Sequence, residues 1–320
     1  MQHRRVGASG LSVSVIGLGS WLTLGQRVGQ RETTAIARRA LELGVTFIDT
    51  ADVYGRGAAE SALGAALEGT NRDHYVLATK CFFPMTDHPL DKGLSRKHVQ
   101  ASIDASLKRL RTDRVDLYQC HRFDPETPVE EVVRTMDDLV TAGKILHWGV
   151  SCWTAAQIDE ACRLAREAGR EAPISNQPPY NLIERDIEAE VIPKCRELGL
   201  SQVVFSPLAQ GVLTGKYLGG ARPPGSRAAD KNTAFWLDRH FEPATLAAVD
   251  RAKQIAERAG MTLPGVALRW CLRDGGAAAA IFGVTSVAQL EENVAAATAD
   301  VPDSVIASVE AALAAQASRP

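Results

Sequence analysis

No stretch of eighteen apolar residues occurs anywhere in this 320-residue chain, which excludes a conventional membrane-spanning helix. The opening segment MQHRRVGASGLSVSVIGLGS is broken repeatedly by Ser and Gly and lacks the continuous apolar core of an export signal. The six cysteines (Cys81, Cys120, Cys152, Cys162, Cys195, Cys271) form no Cys-x-x-Cys pair and no disulfide framework, as expected for reduced thiols in a cytoplasmic protein. Charge of one sign is also missing. The 36 Lys and Arg are balanced by 38 Asp and Glu, and basic clusters such as RLRTDR (109–114) have acidic residues around them, so no nucleic-acid footprint is present. Metal-ligand spacing is absent as well, because Cys120 and His121 are neighbours on an expected strand and point to opposite faces. The GLG at 17–19 has no third Gly at Leu22 and no helix directly after it, which argues against a dinucleotide-binding phosphate turn.

What is present is alternation. Eight short β-branched runs are expected strands: VIGLGS (15–20), TFIDTA (46–51), YVLATK (75–80), VDLYQCH (115–121), ILHWGVS (145–151), ISNQ (174–177), VVFSP (203–207) and AAAIFGV (278–284). Amphipathic stretches such as RETTAIARRALELG, SRKHVQASIDASLKRL and VEEVVRTMDDLVTAGK separate them, several ending in Gly or a basic residue as helix C-termini prefer. Eightfold alternation at this length predicts an α/β fold, a (β/α)8 TIM barrel forming one domain over 1–320; a doubly wound sheet is the competitor. HRRVG and LSVS around ASG predict an N-terminal β-hairpin closing the barrel bottom. SVAQLEENVAAA and VPDSVIASVEAALAAQA predict extra C-terminal helices. A Gly-, Pro- and charge-rich insertion at about 209–240 is long enough to be a functional flap.

In a barrel the site lies at the C-terminal ends of the strands, so polar residues there carry the functional signal. Asp49 ends the second expected strand, Tyr54 follows in its loop, Lys80 ends the third and His121 the fourth. Singly, Asp49 could cap a loop, Lys80 could snorkel to solvent and His121 could be a satisfied core residue. Together they read as chemistry, because a Lys after the apolar VLAT needs a carboxylate nearby. An ammonium beside a phenol lowers the phenol's pKa, making Tyr54 a tuned general acid, with Asp49 orienting Lys80 and His121 serving the substrate oxygen. Asp52, in the same FIDTADVYG stretch, has no assigned partner and is expected to cap the turn that aims Tyr54. A barrel aldolase using Lys80 as a Schiff-base nucleophile is a further reading of the same residues, but leaves SPLAQGVLTGK and QLEEN without a role.

FIDTADVYG, the Lys of VLATK, the His of LYQCHRFD, NQPPYN and SPLAQGVLTGK resemble the aldo-keto reductases. Together with KGLSRKHVQASIDASLKRL, DPETPVEE, PPGSR, LRWCLRDGG and QLEEN they resemble in particular the group containing the voltage-gated potassium channel β-subunits and their bacterial relatives, over about residues 4–298. The resemblance implies an NADP(H)-dependent enzyme reducing aldehydes or ketones to alcohols, with Asp49, Tyr54, Lys80 and His121 as its catalytic tetrad. It places Ser20, Trp21 and Asp49 on the nicotinamide side, Ser151 and Gln177 on the nicotinamide amide, and Phe205 against the ring. Ser206, Pro207, Leu208 and Gln210 fall on the pyrophosphate, with Lys216 and Arg227 closing over it. Gly283, Thr285, Gln289, Glu292 and Asn293 fall on the 2′-phosphate and adenine. Trp21, Tyr54, Phe82, Phe83, His121 and Phe123 are the implied substrate pocket.

Three departures stand out. Cys152 replaces an Arg that follows the amide-binding Ser in the channel group, Gly225 replaces a flap aromatic, and GVTSVAQ lacks the Arg with which many relatives grip the 2′-phosphate. The resemblance also implies a homo-oligomer, tetrameric or larger, and offers an alternative function: a slow-turnover, NADPH-binding regulatory subunit of a potassium channel. His121 favours the enzyme, since some channel subunits carry Asn there.

Overall fold

The computed structural model describes residues 1–273 and 276–314. Asp274 and Gly275 of LRWCLRDGG, and the last residues of the expected C-terminal helix, lie outside them.

All eight expected strands form. They are β3 (Ile16–Gly19), β4 (Phe47–Asp49), β5 (Val76–Cys81), β6 (Val115–Cys120), β7 (Ile145–Val150), β8 (Ser175–Asn176), β9 (Ser201–Phe205) and β10 (Ala279–Phe282). They pair in parallel in the order β10-β3-β4-β5-β6-β7-β8-β9, closing a TIM-type barrel. Before them β1 (His3–Arg5) and β2 (Ser12–Ser14) make an antiparallel hairpin. From it Val6 and Val13 pack onto Phe47, Ala78, Leu117, Val203 and Ala279 inside the barrel, so the hairpin plugs the end opposite the loops that follow the strands.

Helices α1 (Gln30–Glu42), α2 (Ala58–Ala66), α3 (Arg96–Leu110), α4 (Val129–Thr141), α5 (Ala155–Glu167) and α6 (Val191–Leu198) ring the barrel between successive strands. In α4, Val129, Val132, Val133, Met136 and Leu139 are buried at helical spacing while Glu130 and Arg134 stay exposed. Local chemistry sets the starts: Ser95 accepts from the His98 N–H, and Thr154 with Gln157 forms a capping box. Between β9 and β10 come the flap, α7 (Pro243–Arg258) and α8 (Leu263–Cys271); after β10 come α9 (Val287–Thr298) and α10 (Asp303–Ala314), which packs back on α7 and α8. Among the described residues no helix is long and apolar enough to cross a membrane.

The GLG at 17–19 has a packing explanation. A Cβ on Gly17 would lie 2.7 Å from the Phe47 ring, and one on Gly19 would lie 2.7 Å from Ile281. These glycines face the barrel interior, where their missing side chains leave room for the large residues of β4 and β10.

Candidate active site

Alternation along the strands turns one polar layer inward above the apolar plug. Asp49, Lys80 and Gln119 all face the interior, each two residues beyond a residue of the plug (Phe47, Ala78 and Leu117). Lys80 is fully buried, and its Nζ donates to Asp49 Oδ2 at 2.6 Å, to the Thr50 carbonyl at 2.7 Å and to the Tyr54 hydroxyl at 3.3 Å. The other carboxylate oxygen of Asp49 accepts from Gln177 Nε2 at 2.8 Å and from Gln119 Nε2 at 3.3 Å. A buried ammonium and carboxylate therefore share a nearly complete set of partners, the condition under which such a pair is tolerated.

Tyr54 and His121 stand over this pair. Their rings meet edge to face at 5.7 Å, and Phe83 closes on His121 from its other side at 5.0 Å. The expectation of a lowered phenol pKa is corrected here: burial pushes the Tyr54 phenol above its ordinary value, outweighing the opposing pull of Lys80. Lys80 stays charged, its value raised because Asp49 and Tyr54 together overcome the cost of burial. His121 is held well below the ordinary imidazole value by burial and by the Lys80 and Arg122 charges, so it is neutral, and its Nδ1 has no hydrogen-bond partner.

Tyr54, His121 and Asp49 open into a cleft of ≈ 1210 Å³ that runs across the barrel mouth. Trp21, Phe83, Ser151, Gln177, Phe205, Ser206, Pro207, Leu208 and Gln210 line it, as do Lys216, Arg227, Gly283, Thr285, Gln289, Glu292 and Asn293. Ser151 donates to the Gln177 carbonyl at 2.7 Å. The SPLAQG turn is strained, with Ser206, Ala209 and Gln210 all at positive φ, and it leaves Gln210 Oε1 buried without a partner. Ser286 caps α9, whose N-terminal end reaches the cleft.

Three residues expected in the site lie elsewhere. The Ser20 hydroxyl turns away to Thr50 at 2.8 Å. Phe82 and Phe123 do not line the cleft; they pack on the core, Phe123 edge-on to Trp153 at 5.0 Å. Asp52 does cap its turn, accepting from the Val53 N–H at 2.6 Å, but it also has a partner, the Ser102 hydroxyl of α3 at 2.9 Å.

Further residues belong to the candidate site. Gln119 sits two positions before His121, so strand alternation alone would have turned it inward with the imidazole. Phe235 and Trp236 stand out as an exposed aromatic pair in the polar flap, and Trp236 meets Trp21 at 5.2 Å. Arg27, from the loop after β3, donates to the Gly225 carbonyl at 3.2 Å and pairs with Asp230 at 3.7 Å, fastening the flap across the mouth. No local signal marked it. Arg122 follows His121 and lines the same wall.

A closed parallel barrel with a buried Lys–Asp pair under a phenol and a neutral imidazole defines a class, and the family comparison agrees: residues 15–314 match the aldo/keto reductase family, and the chain belongs to it. Within the family it is similar to proteins named for channels. A probable voltage-gated potassium channel subunit beta of Oryza sativa subsp. japonica is 40% identical over 299 residues, spanning 92% of this chain and 91% of its own length. The Arabidopsis thaliana protein of the same name matches to the same extent. A putative one of Schizosaccharomyces pombe is 39% identical over 300 residues, spanning 92% of this chain and 87% of its own length.

Proposed function

We propose that the protein is an NADP(H)-dependent reductase of aldehydes and ketones in which Tyr54 is the general acid. The observation that carries this reading is the Lys80 ammonium held between Asp49 at 2.6 Å and the Tyr54 hydroxyl at 3.3 Å, at the floor of a long cleft.

The cleft's donor set fits a phosphorylated dinucleotide. Ser151 and Gln177 would hold the nicotinamide amide, and Phe205 and Trp21 offer aromatic faces to flat rings. Ser206, Pro207, Leu208 and Gln210 supply a strained turn with an unpartnered polar atom for the pyrophosphate. Lys216, Arg227, Thr285 and the capped start of α9 supply positive charge and amides for phosphates, and Gln289, Glu292 and Asn293 would meet the adenine. When bound there, NADPH would supply the hydride, the two electrons that the carbonyl carbon needs.

The remaining steps belong to the chain. Tyr54, its phenol raised by burial, is protonated at neutral pH and gives its proton to the carbonyl oxygen as the alcohol forms. The phenolate left behind lies 3.3 Å from the Lys80 ammonium, which stabilises it most when that charge develops. Asp49 keeps the ammonium charged and aimed. Neutral His121 hydrogen-bonds the same oxygen without adding a second cation to the site.

The names of the relatives favour a second reading: an NADPH-binding regulatory subunit of a potassium channel, with slow turnover. We place either protein in the cytoplasm, as a single barrel domain assembling into a tetramer or larger homo-oligomer. Steady NADPH oxidation with 4-nitrobenzaldehyde, lowered about 10²–10⁴-fold in Tyr54→Phe, fits the loss of a general acid and supports the enzyme. Tight cofactor retention with no turnover in wild type supports the subunit instead.

A further inference from the structure

We infer that Arg122 selects carbonyl substrates that carry an anionic group, a carboxylate or a phosphate, at the end of an apolar or aromatic body. This inference rests on the reductase reading and names its substrate class.

Among the described residues, the Lys and Arg that line the cleft are Arg27, Arg122, Lys216 and Arg227. Arg27 is engaged with Asp230 and Gly225. Arg227 lies over the Trp21 ring at 5.2 Å and Lys216 over Tyr217 at 5.1 Å; both belong to the flap. Arg122 is different. It lies two residues past the end of β6, next in sequence to His121, and so is anchored to the barrel wall rather than to the flap. Its Nη1 donates to the His121 carbonyl at 2.5 Å and, at 3.5 Å, reaches the Ser151 hydroxyl, which fixes the side chain. Among the described residues no carboxylate pairs with it, and no other guanidinium nitrogen has a hydrogen-bond partner. A guanidinium carries five N–H donors in a planar fork suited to two oxygens of one anion, and most of that fork is left for a ligand.

Its place relative to the reacting groups sets what the ligand must be. The guanidinium carbon lies 5.5 Å from the Phe83 ring centroid, and Phe83 in turn packs at 5.0 Å on His121, the neighbour of Tyr54. The charge is close enough to favour the Tyr54 phenolate and to oppose a His121 imidazolium. A carbonyl oxygen held by Tyr54 and His121 therefore leaves the rest of the substrate on the Phe83 side, within reach of the Arg122 guanidinium. Aromatic walls account for the apolar body, and the unpaired guanidinium accounts for the charge.

The test compares 4-carboxybenzaldehyde with 4-nitrobenzaldehyde, its neutral isostere, and with 4-formylphenyl phosphate, in wild type, Arg122→Met and Arg122→Lys. Loss of a charge-assisted bidentate contact should lower the ratio of kcat/KM for the carboxylate over the nitro compound by about tenfold or more in Arg122→Met, mostly through KM, with Arg122→Lys keeping part of it. A larger fall with the phosphate than with the carboxylate assigns the site to phosphate esters, and the reverse to carboxylates. If all three aldehydes lose activity in the same proportion, Arg122 is structural and the inference is overturned. Quenching of tryptophan fluorescence by the alcohol product 4-(hydroxymethyl)benzoate separates this from the function itself. That ligand should bind wild type about tenfold or more tighter than Arg122→Met even if no aldehyde is turned over, and equal affinity overturns the inference while leaving the reductase reading in place.

Discussion

Asp52, on the loop that carries Tyr54, accepts a hydrogen bond from Ser102 of α3 at 2.9 Å and is completely buried. Burial, reinforced by the Glu60 carboxylate, pushes its carboxyl up to about 7, against the opposing pull of Ser102 and the Val53 N–H. The folded protein thus holds this proton more tightly than the unfolded chain, where an Asp titrates near pH 4. Asp52 therefore contributes most to stability below about pH 4, progressively less as pH rises to about 7, and nothing further above it. Urea denaturation should show Asp52→Asn on the order of 2 kcal/mol more stable than wild type at pH 8, with the gap closing toward pH 5. Parallel pH dependences in the two proteins would exclude this role.

Removing one member of the Lys80–Asp49 pair should be far worse than removing both. Lys80→Met leaves the Asp49 carboxylate buried with only Gln177 and Gln119 as side-chain donors, a loss of about 3–5 kcal/mol of folding stability. Adding Asp49→Asn should recover much of that loss without restoring reductase activity. Chemical denaturation of the two single variants and the double variant gives the coupling energy directly, and additive losses would mean that the ion pair is not a folding unit.

Much of the architecture was legible because barrel strands are short, β-branched and separated by helix-length segments; VLATK and LYQCH needed no tertiary information to be placed. That the four ionisable groups of the candidate site come together was legible for the same reason, since strand ends are local features. Side-chain direction was harder to read. Ser20, Phe82 and Phe123 sit on site-bearing loops or strand ends, yet Ser20 turns to Thr50 and the two phenyl rings turn to the core. The Tyr54 phenol went the other way from the expectation because a neighbour's charge is visible in sequence whereas the depth of burial is not. Arg27 and its flap partners Gly225 and Asp230 are about two hundred residues apart in the chain, and neither segment carries a local signal for the other.

The glycines at 17 and 19 yield a prediction about packing rather than chemistry. Gly17→Ala puts a methyl 2.7 Å from the Phe47 ring and 3.1 Å from Ile281 inside the barrel. Overpacking of that kind should cost about 1–3 kcal/mol. Phe47→Leu alone should also destabilise, by leaving a void, but in the Gly17→Ala background it should be less harmful because the two changes share one volume. Thermal denaturation of the four proteins tests the coupling, and an additive double variant would show that Gly17 does not make room for Phe47.

Contacts with the loop after β3 oppose opening of the flap. Arg27 joins it twice, through the Gly225 carbonyl and the Asp230 carboxylate, with both side chains partly exposed. A solvent-screened pair is worth about 0.2–1 kcal/mol and one hydrogen bond about 0.5–1.5 kcal/mol, so opening should be easier by roughly 1–2 kcal/mol in Arg27→Ala. For the cofactor proposed above, that corresponds to NADPH leaving about 5- to 30-fold faster. Because the contacts join protein to protein, the association rate should change little, and stopped-flow fluorescence resolves the two rates. The Arg27 contribution should also shrink at high salt as the Asp230 pair is screened. If release from Arg27→Ala matches wild type at low salt, the flap is held by the Trp21–Trp236 contact and the Arg227 stack on Trp21, and Trp236→Ala then becomes the variant that releases cofactor faster.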